Sequence, residues 1–362
     1  MSRHRNLVAR MLASAAVVVL GVSAASPSFN AQPAQAQGDS SQVMVIPVPM
    51  SAQNLRYMDI IGIDQTNHKL YTGDAWTGGV DVFDLSTPNA QYAKSFFVRG
   101  SGHGVTWAPD VQKVFVGMDD GTVAVIDTNP SSPTTGTIID RVDTGGHGAA
   151  DEMDYDPALQ KLYVAHRNEG FIVSIDAVND VLVNTIGGLH GILEQPRYNP
   201  VDGMMYEVSP SDNVIYEFDP KVDALVNTID IGTPCSPSGL GINPQTNVAF
   251  LACGGRSNPT AVYMSLANDT VIGQSSTTGG GDSAIYDPVA DRFFYDAKGT
   301  NGPNQMNIFS GGTTASPIPQ LLATVPVDDI SSSVGYDETN HVIYTGGMRD
   351  GIPVLLGIPL PQ

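Results

Sequence analysis

The stretch "MDYDPALQKLYVAH" (residues 153–166) decides the fold because it recurs along the chain. Each copy is a short apolar strand, a turn that opens with Asp, Asn or Ala-Pro, and a second strand that carries an aromatic residue. Its relatives are "IGIDQTNHKLYTGD", "VTWAPDVQKVFVGM", "PRYNPVDGMMYEVS", "LGINPQTNVAFLAC", "AIYDPVADRFFYDA" and "VGYDETNHVIYTGG". Aligned on the turn, the seven anchor residues are Asp64, Ala108, Asp156, Asn199, Asn243, Asp287 and Asp337. Their spacings of 44, 48, 43, 44, 44 and 50 residues indicate seven structural repeats.

Each repeat continues with a third strand, such as "GTVAVIDT" or "GFIVSIDA", and six repeats add a fourth, such as "TIIDRVDTG" or "LVNTIGG". Four short antiparallel strands in about 44 residues are typical of a β-propeller blade. The seventh repeat ends at "LLGIPLPQ" without a fourth strand, whereas an unmatched strand, "QVMVIPVPM" (residues 42–50), precedes the first repeat. We therefore predict an all-β, seven-bladed propeller in which residues 42–50 pair with residues 352–358 and complete the last blade, leaving no open sheet edge there.

The repeats "DP…KLYVA" and "G.V.VID…V..TI..G" resemble the YVTN or YncE-type seven-bladed propellers of exported bacterial proteins, over nearly all of the mature chain. In that family the repeated Tyr, Val and Asp, here Tyr163, Val164 and Asp176, pack or cap strands. Neighbouring propeller families include calcium- or zinc-dependent lactonases and lyases as well as non-enzymatic binding modules. The resemblance therefore implies a fold and leaves the function open.

The N-terminus has the pattern of a secretory signal. "MSRHRNLVARM" is a basic segment, "LASAAVVVLGVSAA" is an apolar one, and "AQA" at 34–36 is a cleavage site. A transmembrane anchor is the alternative, but the apolar run is too short for it. We expect residues 1–36 to be a signal peptide, residues 37–362 to form a single propeller domain, and the mature protein to be periplasmic or secreted.

The composition narrows the class of partner. The formal net charge is −20, and removal of Arg3, Arg5 and Arg10 with the signal peptide makes it about −23. Such an acidic surface repels phosphate backbones, so we expect no nucleic-acid partner. The sequence predicts no membrane span and a monomer whose ligand is a small-molecule substrate or a protein or polymer.

The repeat alignment also predicts a polar ring at one end of the propeller channel. Five residues before each anchor stand Asp59, His103, Asp151, Glu194, Ser238, Asp282 and Ser332. We interpret Asp59, His103, Asp151, Glu194 and Asp282 as candidate ligands of a divalent metal. Carboxylates favour calcium or magnesium, and several histidines with a carboxylate favour a zinc-like ion, so the metal's identity stays open. A solvated polar channel without a ligand is the alternative.

Catalytic and substrate-binding candidates surround this ring. His147 and His190, each followed by Gly, stand nine residues before their anchors, and with Glu194 they are the candidates for general acid or base beside a metal-polarised substrate. Loops expected on the same face carry the candidate substrate-binding residues Trp76, His166, Arg167, Arg256 and Arg349, together with Lys298. These loop residues are alternatively solvated surface groups.

The two cysteines, Cys235 and Cys253, flank a predicted hairpin in the fifth repeat. Export to an oxidising compartment favours a disulfide between them, and a metal or catalytic thiol is the alternative. The sequence lacks a P-loop, a dinucleotide fingerprint and a nucleophile elbow. Two hypotheses for function remain: a metal-assisted lactonase, other hydrolase or lyase acting on a small molecule at the channel mouth, or a non-enzymatic binding or scaffold propeller.

Overall fold

A computed structural model describes residues 36–37, 42–48, 58–74, 79–97, 100–254, 258–298, 304–327, 333–350 and 352–361, which belong to one compact unit. Over these ranges the secondary structure consists of β-strands without an α-helix. Accordingly, no described segment is a helix long and apolar enough to cross a membrane. The predicted signal peptide, apart from Ala36, lies outside the described residues and stays a prediction.

Seven sheets form the seven blades, and in blades 1 to 6 the chain runs through four antiparallel strands in order. Blade 1 comprises β3 (Met58–Asp64), β4 (Lys69–Asp74), β5 (Gly79–Asp84) and β6 (Gln91–Phe97). Blade 2 comprises β7 (Gly102–Ala108), β8 (Lys113–Met118), β9 (Thr122–Asp127) and β10 (Ile138–Asp143). Blade 3 comprises β11 (Ala150–Asp156), β12 (Lys161–His166), β13 (Phe171–Asp176) and β14 (Val181–Gly187). Blade 4 comprises β15 (Arg197–Asn199), β16 (Met204–Ser209), β17 (Val214–Asp219) and β18 (Ala224–Asp230). Blade 5 comprises β19 (Pro237–Asn243), β20 (Val248–Cys253), β21 (Ala261–Ser265) and β22 (Thr270–Ser275). Blade 6 comprises β23 (Gly280–Asp287), β24 (Arg292–Lys298), β25 (Gln305–Ser310) and β26 (Leu321–Pro326).

The seventh blade contains β27 (Gly335–Asp337), β28 (Val342–Arg349) and β29 (Ile352–Pro359), and its fourth strand is β2 (Met44–Pro47) from the other end of the chain. β2 pairs antiparallel with β29, with Met44 opposite Gly357. The predicted closure of the ring by an N-terminal strand is thus confirmed. A further short strand, β1 (Ala36–Gln37), adds in parallel to the outer strand β26 of blade 6.

The repeat motif produces the same hairpin seven times. All seven anchor residues are the last residues of the inner strands β3, β7, β11, β15, β19, β23 and β27. Asp and Asn anchors accept main-chain N–H groups of the following turn, as Asp64 does from Thr66 and Asn67. Four residues after each anchor the backbone enters the left-handed region, at His68, Gln112, Gln160, Gly203, Asn247, Asp291 and His341. This turn chemistry is what the repeated sequence encodes.

Apolar clusters lie between neighbouring blades, so that each blade buries its faces against the next. Side chains of the second strands reinforce two of these contacts. Lys113 Nζ lies 2.7 Å from Asp180 Oδ2, and Lys161 Nζ lies 2.7 Å from Asp223 Oδ2 in the next blade. In blade 5 the predicted disulfide joins Cys235 and Cys253, whose Cα atoms are 4.6 Å apart. The disulfide prediction is therefore confirmed.

Candidate functional site

The inner strands bring the predicted polar ring to one end of the channel by a local irregularity. In blades 1, 2, 3, 5 and 6 the pairing between inner and second strand shifts at the mouth, for example between Met58 and Ile61 and between Ala150 and Met153. Such β-bulges re-aim side chains. The bulged residues include Asp59, His103, Asp151 and Asp282.

Three of these residues form a compact cluster. His103 Nδ1 lies 2.9 Å from Asp59 Oδ2. One ligand atom from each of Asp59, His103 and Asp151 lies within 4.8 Å of the others. Asp151 is buried, whereas Asp59 and His103 are partly exposed, so the cluster is open on one side. Three consecutive blades thus supply an Asp–His–Asp set.

Arg167 connects this cluster to blade 4. Its guanidinium lies 2.7 Å from Glu194 Oε1 and 3.6 Å from Asp151 Oδ2, and the arginine side chain is 43% exposed. Across the ring, Lys298 Nζ lies 2.9 Å from Asp282 Oδ2. Each of the four ring carboxylates therefore faces at least one basic side chain.

Burial and mutual repulsion set the proton affinities of the ring. Burial, with the charge of Asp59 adding to it, raises the pKa of Asp151 to about 6. Burial also raises the pKa of Glu194 to about 8, against the opposing charge of Arg167. Burial works to lower the pKa of His103, but the hydrogen bond and charge of Asp59 outweigh it and raise the pKa. A bound cation would favour the ionised carboxylates.

Two buried carboxyl groups on second strands accept hydrogen bonds from the main chain of the segments that carry the ring residues. Glu207 Oε1 accepts the main-chain N–H of Glu194 at 2.6 Å, and Asp296 Oδ1 accepts that of Ser283 at 2.6 Å. Both side chains are wholly buried. Sequence reasoning missed these residues, although an acid inside the apolar runs "MMYEVS" and "RFFYDA" is a signal that could have found them.

His147 and His190 contribute their main chains to local structure. The N–H groups of His147 and Gly148 donate to the carboxylate of Glu169, which also lies 3.1 Å from His166 Nδ1. The His190 N–H donates to the Tyr216 hydroxyl. Both His147 and His190 have exposed side chains, and neither belongs to the Asp–His–Asp cluster.

The loop candidates for substrate binding are dispersed. His166 is fully buried and stacks on Phe171, with ring centroids 4.2 Å apart. Arg349 ends β28 and is partly buried. Trp76 and Arg256 lie outside the described residues. Arg167 and Lys298 are thus the two loop candidates that the described structure joins to ring carboxylates.

A chamber of about 350 Å³ occupies the central channel. Residues of all seven inner strands, or of the segments leading into them, line it. Two of them, Ile60 and Gln195, directly follow the ring residues Asp59 and Glu194 in the sequence. Most of the lining is aliphatic, aromatic or uncharged polar. Among the described residues that line it, Asp154 and Arg197 are the two that can carry a charge.

Comparison with known proteins supports the fold. No family model matches the chain, and no curated protein matches it. A chain in the crystal structure of a mitotic checkpoint complex is similar, with a TM-score of 0.68 and 13% sequence identity over 94% of this chain and 98% of that chain. At such low identity the likeness shows a common architecture alone. The chain is a seven-bladed β-propeller.

Proposed function

We propose that this protein is an exported propeller that binds a divalent metal ion through Asp59, His103 and Asp151 and acts there as a metal-assisted hydrolase, of lactonase type, or as a lyase on a small molecule. The observation that carries the proposal is the Asp–His–Asp cluster, whose ligand atoms lie within 4.8 Å of one another at the channel mouth. Metal–ligand distances of about 2.0–2.6 Å place opposing ligand atoms roughly 4–5 Å apart. The cluster meets that requirement.

The donor set fits a divalent ion chemically. Two carboxylates and one imidazole provide oxygen and nitrogen ligands, and the open side leaves positions for water or substrate. With Glu194 protonated, the ring carboxylates Asp59, Asp151 and Asp282 carry three formal negative charges, against two positive charges on Arg167 and Lys298. A divalent cation would change the remaining charge from −1 to +1, so that a neutral substrate such as a lactone or ester could bring its carbonyl oxygen to the ion.

The residues of the chain would then divide the chemistry. A bound metal ion supplies Lewis acidity toward a substrate oxygen and lowers the pKa of a bound water. Burial raises the pKa of Glu194 to about 8, so Glu194 would hold a proton at neutral pH and donate it to a leaving oxygen. Arg167 orients Glu194 through the 2.7 Å contact. His147 and His190, exposed and outside the cluster, are weaker candidates for the acid or base.

Metal analysis tests the proposal most directly. Protein stripped with EDTA is titrated with Ca²⁺, Mg²⁺, Mn²⁺ and Zn²⁺, and bound metal is quantified by mass spectrometry. We expect one ion per chain in the wild type, and its loss in His103→Ala and Asp151→Asn. His147→Ala is the matched control, since this histidine lies outside the cluster, and it should bind as the wild type does. The absence of stoichiometric binding, or an unchanged metal affinity in His103→Ala, would refute the proposed metal site.

Turnover is tested separately on the metal-loaded protein. Hydrolysis of small lactones and esters is followed by base consumption at constant pH. We expect Glu194→Gln to retain the ion and lose most of the rate. Metal binding without turnover of any of these substrates would leave a metal-binding propeller and refute the hydrolase.

We also propose that the chain is a YVTN-type propeller of an oxidising compartment. Two observations support it: the repeated anchor turns described above, and the Cys235–Cys253 disulfide, since disulfides persist outside the reducing cytosol. Expression with the native N-terminus, followed by mass measurement of the exported product, tests cleavage after Ala36. A product that stays uncleaved in the cytoplasm would contradict the export proposal.

A scaffold or protein-binding role is the second candidate, and one surface favours it. Nine of the sixteen exposed large apolar side chains of the described residues lie in blades 3 and 4. They include Val181, Leu182 and Val183 on the outer strand β14, which is a sheet edge. A concentration of exposed apolar side chains on two neighbouring blades suits a protein partner. Val183→Lys should abolish partner capture if this surface binds a protein, whereas Val289→Lys in blade 6 should not.

A further inference from the structure

The chamber in the central channel holds one acid and one base that do not pair with each other. Asp154 and Arg197 occupy the same position, two residues before the anchor, in the neighbouring blades 3 and 4. Among the described residues no ion pair within 4 Å joins them, although the charge of Arg197 acts on Asp154. Both side chains are partly exposed to the chamber.

Each of the two charged groups has unused bonding capacity. Asp154 Oδ2 accepts the main-chain N–H of Tyr198 at 2.7 Å. Arg197 Nη1 donates to the carbonyl of Pro196 at 2.7 Å, while Nη2 lies 3.9 Å from Glu152 Oε2, beyond hydrogen-bonding distance. A guanidinium has five N–H donors, so several remain for a ligand. Charged groups removed from water are stabilised by charged partners.

The rest of the lining suits an organic ligand. Aliphatic side chains such as Ile60 and Ile285 and the aromatic rings of Trp107, Tyr198 and Tyr286 surround the chamber. Small-molecule sites are concave, mostly apolar, and carry a few well-placed polar groups, in volumes of about 300–1,000 Å³. The 350 Å³ of this chamber falls at the lower end of that range.

We propose that the chamber binds a small zwitterion of amino-acid type, its carboxylate on Arg197, its ammonium on Asp154 and its apolar side chain against the aromatic lining. A carboxylate matches the planar fork of a guanidinium, and an ammonium matches a carboxylate acceptor. A single molecule would thereby give both Arg197 and Asp154 a partner of opposite charge. This inference goes beyond the metal site at the mouth and does not depend on it.

Trp107 provides the readout, because the chain has two tryptophans and Trp76→Phe leaves Trp107, in the chamber lining, as the sole tryptophan, which can be excited apart from the tyrosines. Emission of this variant is titrated with leucine and phenylalanine in EDTA, so the result is independent of metal. We expect a saturable change. N-acetylleucine, which lacks the ammonium, and leucinamide, which lacks the carboxylate, should each bind at least tenfold more weakly.

Variants assign the two charges. In the Trp76→Phe background, Arg197→Met and Asp154→Asn should each weaken leucine binding at least tenfold. Arg292→Met is the matched control, since Arg292 also donates Nη1 to the preceding carbonyl at 2.7 Å but does not line the chamber. Its affinity should equal that of the parent.

The ligand series keeps the proposal testable even if a variant does not fold. Saturable binding of glucose with no response to either amino acid would overturn the ligand class. The absence of any response to the amino acids and to glucose would overturn the site and leave Arg197 as a counter-ion of Glu152. Because metal stoichiometry is measured separately, failure here is distinct from failure of the proposed function.

Discussion

Replacing Lys161 by methionine should break a contact that joins blade 3 to blade 4. Lys161 Nζ lies 2.7 Å from Asp223 Oδ2 and donates to the carbonyl of Pro220 at 3.0 Å, and the Tyr163 hydroxyl donates to the same aspartate. The side chains of Lys161 and Asp223 are only 19% and 9% exposed. The substitution therefore leaves a largely buried carboxylate without its cation.

The expected loss follows from that burial. Removing one partner of a buried ion pair costs about 3–5 kcal/mol, and we expect the lower end, about 3 kcal/mol, because Asp223 keeps the hydrogen bond from Tyr163. Methionine itself fits the position, since Met204 begins the second strand of blade 4 where Lys161 begins that of blade 3. Loss of the charge pair, and not a steric clash, should dominate.

Urea unfolding followed by circular dichroism measures the effect, with the m-value checked for constancy. Lys221→Met is the matched control: Lys221 is exposed in the same turn as Pro220, and its loss should stay within about 0.5 kcal/mol. Met204→Lys is the converse, because Asp269 stands in the blade 5 turn where Asp223 stands in blade 4, and it should stabilise the protein. A loss in Lys161→Met of less than 1 kcal/mol on this scale, or one equal to that of Lys221→Met, would refute the reasoning.

Three further changes probe closure, cross-link and charge. Ile46→Ala on the closing strand should lower the free energy of unfolding in urea by about 2–4 kcal/mol, because Ile46 is only 7% exposed. The same change at its neighbour Val45, which is 36% exposed, should cost far less. Equal losses would contradict the closure. Replacing Cys235 and Cys253 by alanine should lower the free energy of unfolding by about 3 kcal/mol for the 18-residue separation, and an unchanged denaturation midpoint would argue against that account. Burial raises the pKa of Glu194 from 4.5 to about 8, so over this range the folded protein binds a proton that the unfolded chain has released. The melting temperature in EDTA should therefore fall between pH 5 and 9, and less steeply in Glu194→Gln; parallel curves would exclude this linkage.

Much of the candidate site follows from the repeat alignment. The alignment places Asp59, His103 and Asp151 at equivalent positions, and the inner strands bring them together. It does not show that Arg167 spans Asp151 and Glu194, because the reach of a loop side chain depends on the blade geometry. Nor does the alignment show that His147 and His190 are exposed to solvent, because each lies in a Gly-containing loop whose backbone path the repeat does not determine.

The amino-acid sequence by itself determined the local and periodic features of this protein. The anchor turns and the four-strand blades depend on hydrogen bonds and burial patterns that residues close in sequence encode, and the N-terminal strand could be assigned to the last blade because the seventh repeat lacks a fourth strand. Only the tertiary structure decided which groups meet across blades, as Glu207 meets the main chain of Glu194 and Asp154 faces the same chamber as Arg197. Those contacts depend on how the blades pack around the axis, where a shift of a few ångströms makes or breaks a hydrogen bond.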